Sequence, residues 1–446
     1  MNPDYLNFSS CKEKRLRTVL LIAYNYPPDP AVGALRPAGL VKYLPEFGWK
    51  ALVVTPQFPT RIPSSSVIET RDRDRLTQLK VKLGFRPDFS LHRQLNVSTA
   101  TIGGRPSHAS RVIQAIKTIL GGYPDSLSGW RPFAVEAGHG VLRSTRIDAI
   151  LSTALPMTCH SVAEQLHHAS SLPWIADYRD LWNVDPNQLR PRKGVLGVTN
   201  RWYEARLLAR ASAITCISPQ LKDDLVQYGR PTHCVENGFD EDMFPDPQPA
   251  PDSLFTIVHT GQLYAGRRDP SPLVESIASL IADGKIDSTK VRVRFYGAVP
   301  HFLLPMLSRL RLTTVVEICG IRPRSECIEA QRKAQLLLLL TWSAGNSSGV
   351  VTGKIFEYLG SRRPILLVGG VGSGAAASIL KETGAGTYAR DKSDTAAAVL
   401  AAYQEFCSTG KVHYDGREEI VLKYTQRRMS GCFADLLDEV TRTSKR

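Results

Sequence analysis

The sequence predicts an α/β protein built from two facing Rossmann-like, doubly wound domains. Short aliphatic runs alternate with amphipathic helical stretches, which is the pattern of βα units that form parallel sheets. The pattern stops in the proline-rich residues 237–253 and restarts beyond them. A length of 446 residues also suits two domains of ordinary size.

The aliphatic runs predict strands in two groups. The first group is Val19–Ala23, Ala51–Thr55, Ala149–Thr153, Trp174–Asp177 and Ala213–Ser218. The second group is Phe255–Thr260, Val291–Tyr296, Val315–Cys319, Leu336–Leu340 and Ile365–Val368. Helices are expected from about Leu35 to Phe47 and from Thr158 onward.

These elements divide the chain into four parts. The predicted parts are an N-terminal domain (1–236), a linker (237–253), a C-terminal domain (254–423) and a last helix (424–446) that crosses back to the N-terminal domain. The irregular, basic stretch of about 61–122 is interpreted as an insertion near the cleft. Within it, Arg111–Leu120 has the apolar spacing of an amphipathic helix.

Net charge and cysteine usage indicate the kind of partner and the cellular location to expect. Lys plus Arg is 56 and Asp plus Glu is 42, which gives 56 − 42 = +14 and favours anionic partners. No nucleic-acid-binding module is recognisable, so nucleic acid is not an expected partner. Scattered cysteines, the absence of a signal-peptide pattern and the absence of a long apolar run predict a cytoplasmic protein, with any membrane contact peripheral.

Three segments at predicted strand ends carry polar chemistry in the N-terminal domain. Gly33 precedes a helix that also holds Arg36, and it lets backbone approach an anion, although this loop taken alone favours a plain proline-rich turn. The hydroxyls of Ser152 and Thr153, with His160 beyond them, suit a sugar or a helix cap. The third segment holds Asp177, Arg179 and Asp180, whose carboxylates suit sugar hydroxyls or an internal ion-pair cluster.

Two segments of the C-terminal domain suit a diphosphate. After the strand Phe255–Thr260, Gly261 is followed by Arg267 and Arg268, and arginine's planar fork matches phosphate oxygens, with a surface pair as the alternative. In the second segment a helix is expected to start near Val351 and Thr352. The donor-binding residues predicted there are Val350, Val351, Thr352, Gly353, Lys354 and Glu357. Lys354 and Glu357 are three positions apart and share a helix face, so a plain surface ion pair is the competing interpretation.

Together these sequence motifs resemble those of glycosyltransferase family 4, the retaining enzymes of GT-B fold, in the branch of bacterial cell-surface polysaccharide synthesis. The matching motifs are the Tyr-Pro-Pro loop through Gly33, Lys42–Trp49, Asp177–Trp182, Asn237–Asp240 and Gly353–Leu359, in the expected order. The resemblance implies a nucleotide-sugar donor, a glycan or lipid-linked acceptor, and contact with an anionic membrane surface. It also implies that Glu357 binds the donor ribose.

The sequence departs from the family pattern at three places. Gly349 stands where the family has its first glutamate, Gln262 replaces a phosphate-binding arginine, and no histidine stands at Ser152–Thr153. We therefore expect Arg267 and Lys354 to provide the positive charge that stabilises the leaving diphosphate, with Asp177 and Asp180 as catalytic carboxylates. The acceptor side is assigned to Ser152, Thr153, His160 and Arg179.

Other functions stay open at this point. A GT-B-fold nucleotide-sugar epimerase and a non-catalytic binding homologue use the same donor site, and the second is motivated by Gly349 and Gln262. The run Gly370–Gly374 suggests a dinucleotide site, but position 375 is Ala where that motif needs a third glycine. No Asp-x-Asp pair lies in the five segments, so no metal and no cofactor are predicted.

Overall fold

The computed structural model describes residues 15–73, 123–185, 190–263, 268–341, 352–370 and 374–444. Two parallel sheets, each with helices between its strands, form the architecture. The helix expected at Arg111–Leu120 and most of the basic insertion lie outside the described residues.

The N-terminal sheet has seven strands in the order β3-β2-β1-β4-β5-β8-β9. Its strands, with the short pair β6 and β7 outside the sheet, are β1 (Arg17–Ile22), β2 (Trp49–Pro56), β3 (Val67–Thr70), β4 (Ala149–Ala154), β5 (Trp174–Tyr178), β6 (Val184–Asp185), β7 (Arg190–Pro191), β8 (Ala213–Cys216) and β9 (Thr232–Cys234). Its helices are α1 (Leu35–Tyr43), α2 (Arg131–Ser144), α3 (Thr158–Ser170), α4 (Gly194–Leu208) and α5 (Pro219–Leu225).

The C-terminal sheet has six strands in the order β12-β11-β10-β13-β14-β15. These strands are β10 (Phe255–Thr260), β11 (Val291–Tyr296), β12 (Val316–Gly320), β13 (Leu336–Leu340), β14 (Ile365–Val368) and β15 (Gly386–Ala389). The helices that follow α5 are α6 (Ser271–Ala282), α7 (Leu303–Arg309), α8 (Arg324–Lys333), α9 (Lys354–Ser361), α10 (Ala375–Thr383), α11 (Lys392–Thr409), α12 (Glu418–Val421) and α13 (Gln426–Thr443).

The central strands are parallel because each is buried on both faces and followed by a helix. β13 is five consecutive leucines, all buried, and it pairs in parallel with β10 and β14. β1 is likewise buried along nearly its whole length and pairs in parallel with β2 and β4. Parallel pairing places the carboxyl ends of the strands, and the loops that follow them, on one edge of each sheet.

The chain passes between the two sheets at two neighbouring points. Phe239, just after β9, accepts a hydrogen bond from the Gln426 amide and donates one to the Tyr424 carbonyl. A Cβ at Gly238 would overlap the backbone of Thr425, so the two crossings touch only because residue 238 is glycine. Beyond this point α13 packs against α1, where the Ser430 hydroxyl donates to the Gly39 carbonyl.

Candidate functional site

A buried ion pair organises the carboxyl end of the N-terminal sheet. Asp177 is 0% exposed and accepts two hydrogen bonds from Arg36, at 2.9 and 2.8 Å. Thr153 and Thr215 are its register partners on β4 and β8, and their hydroxyls donate to it at 2.9 and 2.8 Å. These donors and the Arg36 charge hold the pKa of Asp177 below its ordinary value, although burial acts in the opposite direction.

Arg36 connects this ion pair to the interdomain crossings. Its guanidinium also donates to the Val235 carbonyl at 2.8 Å and to Asn237 Oδ1 at 3.0 Å. The prediction that Asp177 is a catalytic carboxylate lining the cleft is therefore wrong. Its two oxygens are occupied by internal donors, and its role is to fix the strand ends and the start of the linker.

The residues assigned to the acceptor side divide into buried and accessible ones. Ser152, Thr153 and His160 are buried, so their assignment to the acceptor side is also wrong. The Trp174 indole donates to Ser152 Oγ at 2.7 Å, and Ser152 Oγ shares a hydrogen bond with His160 Nδ1, also at 2.7 Å. Burial lowers the pKa of His160 to about 3, which keeps the ring neutral.

Asp180 and Arg179 lie at the surface end of β5. Asp180 is solvent-exposed, and desolvation by the surrounding protein raises the pKa of its carboxyl while the Arg179 charge opposes that shift. Arg179 donates to the carbonyls of Ala154 and Leu155. A Cβ at Gly33 would overlap the Arg179 guanidinium, so the structure brings these two predicted residues together.

Thr352, Gly353, Lys354 and Glu357, which were predicted to bind the donor, lie at the start of α9. This helix begins at Lys354, and Gly353 precedes it as the N-cap residue, slightly later than the start expected near Val351. A Cβ at Gly353 would lie 3.4 Å from Val32 Cγ1 in the loop after β1. The two domains therefore face each other across a narrow gap at this helix start.

Lys354 lies beside the loop after β10. Gly261 has a φ of +111°, and a Cβ there would overlap Lys354 Cε and Nζ. Burial lowers the pKa of the Lys354 ammonium, Glu357 opposes that shift, and Arg268 reinforces it. Arg268 reaches Thr352 Oγ1 at 3.4 Å from the other side. A desolvated ammonium near a second cation favours an anionic ligand.

Glu357 is held from one side by a residue that sequence reasoning missed. Arg324, at the start of α8, donates to Glu357 Oε1 from Nε at 2.9 Å and from Nη2 at 2.8 Å. Glu357 Oε2 lies 3.5 Å from the Gln331 amide, and Gln331 also donates to Thr260 at 2.9 Å. Glu357 is thus fixed in position while Oε2 keeps capacity to accept further hydrogen bonds.

Arg267, Val350 and Val351 lie outside the described residues, so their predicted roles stay predictions. Arg268 and Arg324 are the additions to the predicted set. The arginine pair after β10 pointed to Arg268, whereas Arg324 lies 33 residues before Glu357 with no local pattern to reveal it. Across the part of the chain that the structure describes, no group of three or more His, Cys, Asp or Glu side chains is placed to hold a metal ion.

Comparisons with known proteins show which family and which solved structures this chain is similar to. Residues 90–243 match the family model described as Glycosyltransferase Family 4. These residues, about a third of the chain, are therefore similar to family 4 glycosyltransferases. No protein in a search of curated sequences matches the chain.

Solved structures share the fold of this chain over nearly its whole length. HepE from Anabaena, in complex with UDP, has a TM-score of 0.59 at 13% identity and covers 95% of this chain and 100% of its own. Sucrose-phosphate synthase from Thermosynechococcus elongatus has a TM-score of 0.60 at 14% identity, covering 96% and 100%. A glycosyltransferase from Rickettsia africae has a TM-score of 0.57 at 11% identity, covering 95% and 98%. The fold is therefore GT-B, as the sequence predicted.

Proposed function

We propose that the protein is a retaining glycosyltransferase that transfers a sugar from a nucleotide-diphosphate sugar to a glycan or lipid-linked acceptor, in cell-envelope or extracellular polysaccharide synthesis. The observation that carries the proposal is the meeting of Gly353 and Val32 across the gap, with the Lys354 ammonium against Gly261. The family 4 match and the UDP complex of the structurally similar HepE support a nucleotide-sugar donor.

In this proposal the C-terminal domain binds the donor. The diphosphate lies at the start of α9, where backbone N–H groups and the helix dipole favour negative charge. Lys354, Arg267 and Arg268 provide the positive charge, and Glu357 Oε2 accepts a ribose hydroxyl. As the glycosidic bond to the diphosphate breaks, its electron pair leaves with the phosphate oxygen, and these cations stabilise the charge that develops there.

The N-terminal domain presents the acceptor. Asp180 and Arg179 lie at the cleft end of β5, and we assign them to acceptor contact, with Asp180 as the N-domain carboxylate nearest the reaction. Closure of the domains about the crossings at Phe239 and Thr425 would exclude water, which otherwise hydrolyses the donor. We also propose a cytoplasmic location with peripheral contact to an anionic membrane.

A panel of nucleotide sugars tests this function. The protein is incubated with each donor, and free nucleotide, free sugar, transferred sugar and epimerised donor are separated. Release of nucleoside diphosphate with transfer or slow hydrolysis of one donor is expected, and NMR of the product should show the donor's anomeric configuration retained. An epimerised donor would identify an epimerase, and binding with no turnover of any donor would identify a non-catalytic protein.

A further inference from the structure

Helix α4 exposes large apolar side chains to solvent. Val195 is 85% exposed and Trp202 is 61% exposed, and Leu196 and Val198 are also exposed. Val195, Val198 and Trp202 are three and four positions apart, so they lie on one side of the helix. A contiguous exposed apolar stripe of this kind on one helix indicates an interaction surface.

The opposite side of α4 is fixed to the N-terminal domain. Glu204 is buried and accepts hydrogen bonds from the hydroxyls of Tyr178, at 3.0 Å, and Tyr228, at 2.6 Å. The Asn183 amide donates to the Gly197 carbonyl at 3.0 Å. The exposed stripe therefore belongs to a helix whose inner face already has its partners.

The exposed positions of α4 and its ends are cationic. The basic residues are Arg192, Lys193, Arg201, Arg206 and Arg210, of which Arg210 is paired with Glu164 of α3 at 3.1 Å. Glu204 is the one carboxylate in residues 192–210, and it is buried on the inner side. The Arg206 guanidinium lies 5.6 Å from the centre of the Trp202 ring, so charge and aromatic surface are presented together.

The charge decides which occupant fits this surface. In a symmetric dimer formed through this face, the same cations of the two copies would oppose each other with no exposed carboxylate of α4 between them. An anionic bilayer instead offers phosphates to the cations and an interfacial region that tryptophan prefers. Complementarity of charge thus favours a lipid surface over a second copy.

We propose that α4 is a membrane-docking surface that binds anionic lipid headgroups, inserting Val195, Val198 and Trp202 at the interface. No helix in the described residues is long and apolar enough to cross a membrane, so contact through α4 is interfacial. The loop that carries Asp180 leads directly to Asn183, which is bonded to α4. Docking through α4 therefore places the cleft end of β5 next to the bilayer. The inference narrows the membrane contact proposed above to one surface and does not depend on the proposed reaction.

Co-sedimentation of the full chain with vesicles tests the surface. Vesicles of phosphatidylcholine with phosphatidylglycerol are compared with pure phosphatidylcholine, at low and high salt. The wild type should bind the anionic vesicles in a salt-sensitive way. The double variant Val195→Ser/Trp202→Ser should bind roughly tenfold more weakly or worse. Arg201→Gln/Arg206→Gln should lose roughly fivefold for each arginine.

Ile321→Ser is the matched control, because Ile321 is 82% exposed but lies in the C-terminal domain. It should bind as the wild type does. Wild-type binding that persists unchanged in both double variants would overturn the assignment to α4 while leaving membrane contact itself intact. Absence of wild-type binding, or equal binding to neutral vesicles, would overturn the whole inference. Self-association of the wild type that Val195→Ser/Trp202→Ser abolishes, measured by sedimentation velocity, would assign the face to a second copy instead.

Discussion

At the residue scale, Glu357 connects the geometry to donor affinity. Arg324 holds one carboxylate oxygen, and the other keeps capacity for a ribose hydroxyl. Glu357→Gln removes the charge that strengthens this hydrogen bond, so nucleoside diphosphate binding should weaken by about 1–3 kcal/mol in calorimetry. Glu329→Gln, in a surface ion pair with Lys333 on α8, is the control and should leave the affinity unchanged. Unaltered affinity in folded Glu357→Gln would remove this residue from the site.

His160 makes stability depend on pH. Its folded pKa is about 3, below the ordinary 6.5, so the unfolded chain binds the extra proton between these values. Its contribution to stability is full above pH 6.5 and is lost as pH falls toward 3. From pH 7 to pH 5 the wild type should lose about 2 kcal/mol more unfolding free energy than His160→Gln, as measured by urea titration. Parallel losses in the two proteins would contradict the buried neutral ring.

The structure keeps together the predicted residues whose neighbours are local in the sequence, and it buries several whose partners are distant. Gly353, Lys354 and Glu357 follow one another along one helix start, and the structure brings them together there. Asp177 looked catalytic because it ends a strand, but its partner Arg36 stands 141 positions earlier. Ser152 and Thr153 are also buried, because strand pleating and a covering helix decide the direction of each side chain.

At the element scale, continuous aliphatic runs predicted the central strands well. Phe255–Thr260, Leu336–Leu340 and Ile365–Val368 have the predicted bounds, because strands buried on both faces leave a clear apolar signal. The strands of the two large sheets that were missed, β3, β9 and β15, all lie at sheet edges. Edge strands bury less surface and are short, so their sequences carry little pattern.

The loop after β10 contacts the start of α9, and a substitution at Gly261 tests whether this contact positions Lys354. Alanine there would overlap the Lys354 ammonium and push it from its position. We expect Gly261→Ala to lower turnover roughly 10²-fold, the effect of misplacing a group by about 1 Å. Gly284→Ala is the matched control, because Gly284 also has positive φ, +67°, but nothing lies within 4 Å of its Cβ position. Equal turnover of the two variants would contradict the positioning of Lys354 by Gly261.

At the scale of the whole molecule, the account requires that protein cations replace a metal. Gln262 stands where the family pattern has a cation, so we expect Arg267 and Lys354 to provide the positive charge that balances the diphosphate. Turnover should be unaffected by excess chelator, whereas Lys354→Ala or Arg267→Ala should lower it roughly 10²-fold or more. Loss of turnover in chelator, restored by magnesium, would show that a divalent ion balances the diphosphate charge instead.

Two sheets of parallel strands with interleaved helices were predictable from the sequence, because the βα pattern stops and restarts once along the chain. The surface of α4 was not, since its exposed face depends on how Glu204 and Gly197 anchor the helix. The cleft itself also depends on contacts between distant segments, such as Val32 with Gly353.

The central claim is that a nucleotide-sugar donor binds between the domains at the start of α9. A crystal structure of the protein with a nucleoside diphosphate tests it most directly. The account predicts the diphosphate within hydrogen-bond distance of Lys354 Nζ and the Gly353–Lys354 amides, with the ribose at Glu357 Oε2. A nucleotide bound elsewhere, for example at Gly370–Gly374, with the α9 site empty, would contradict it.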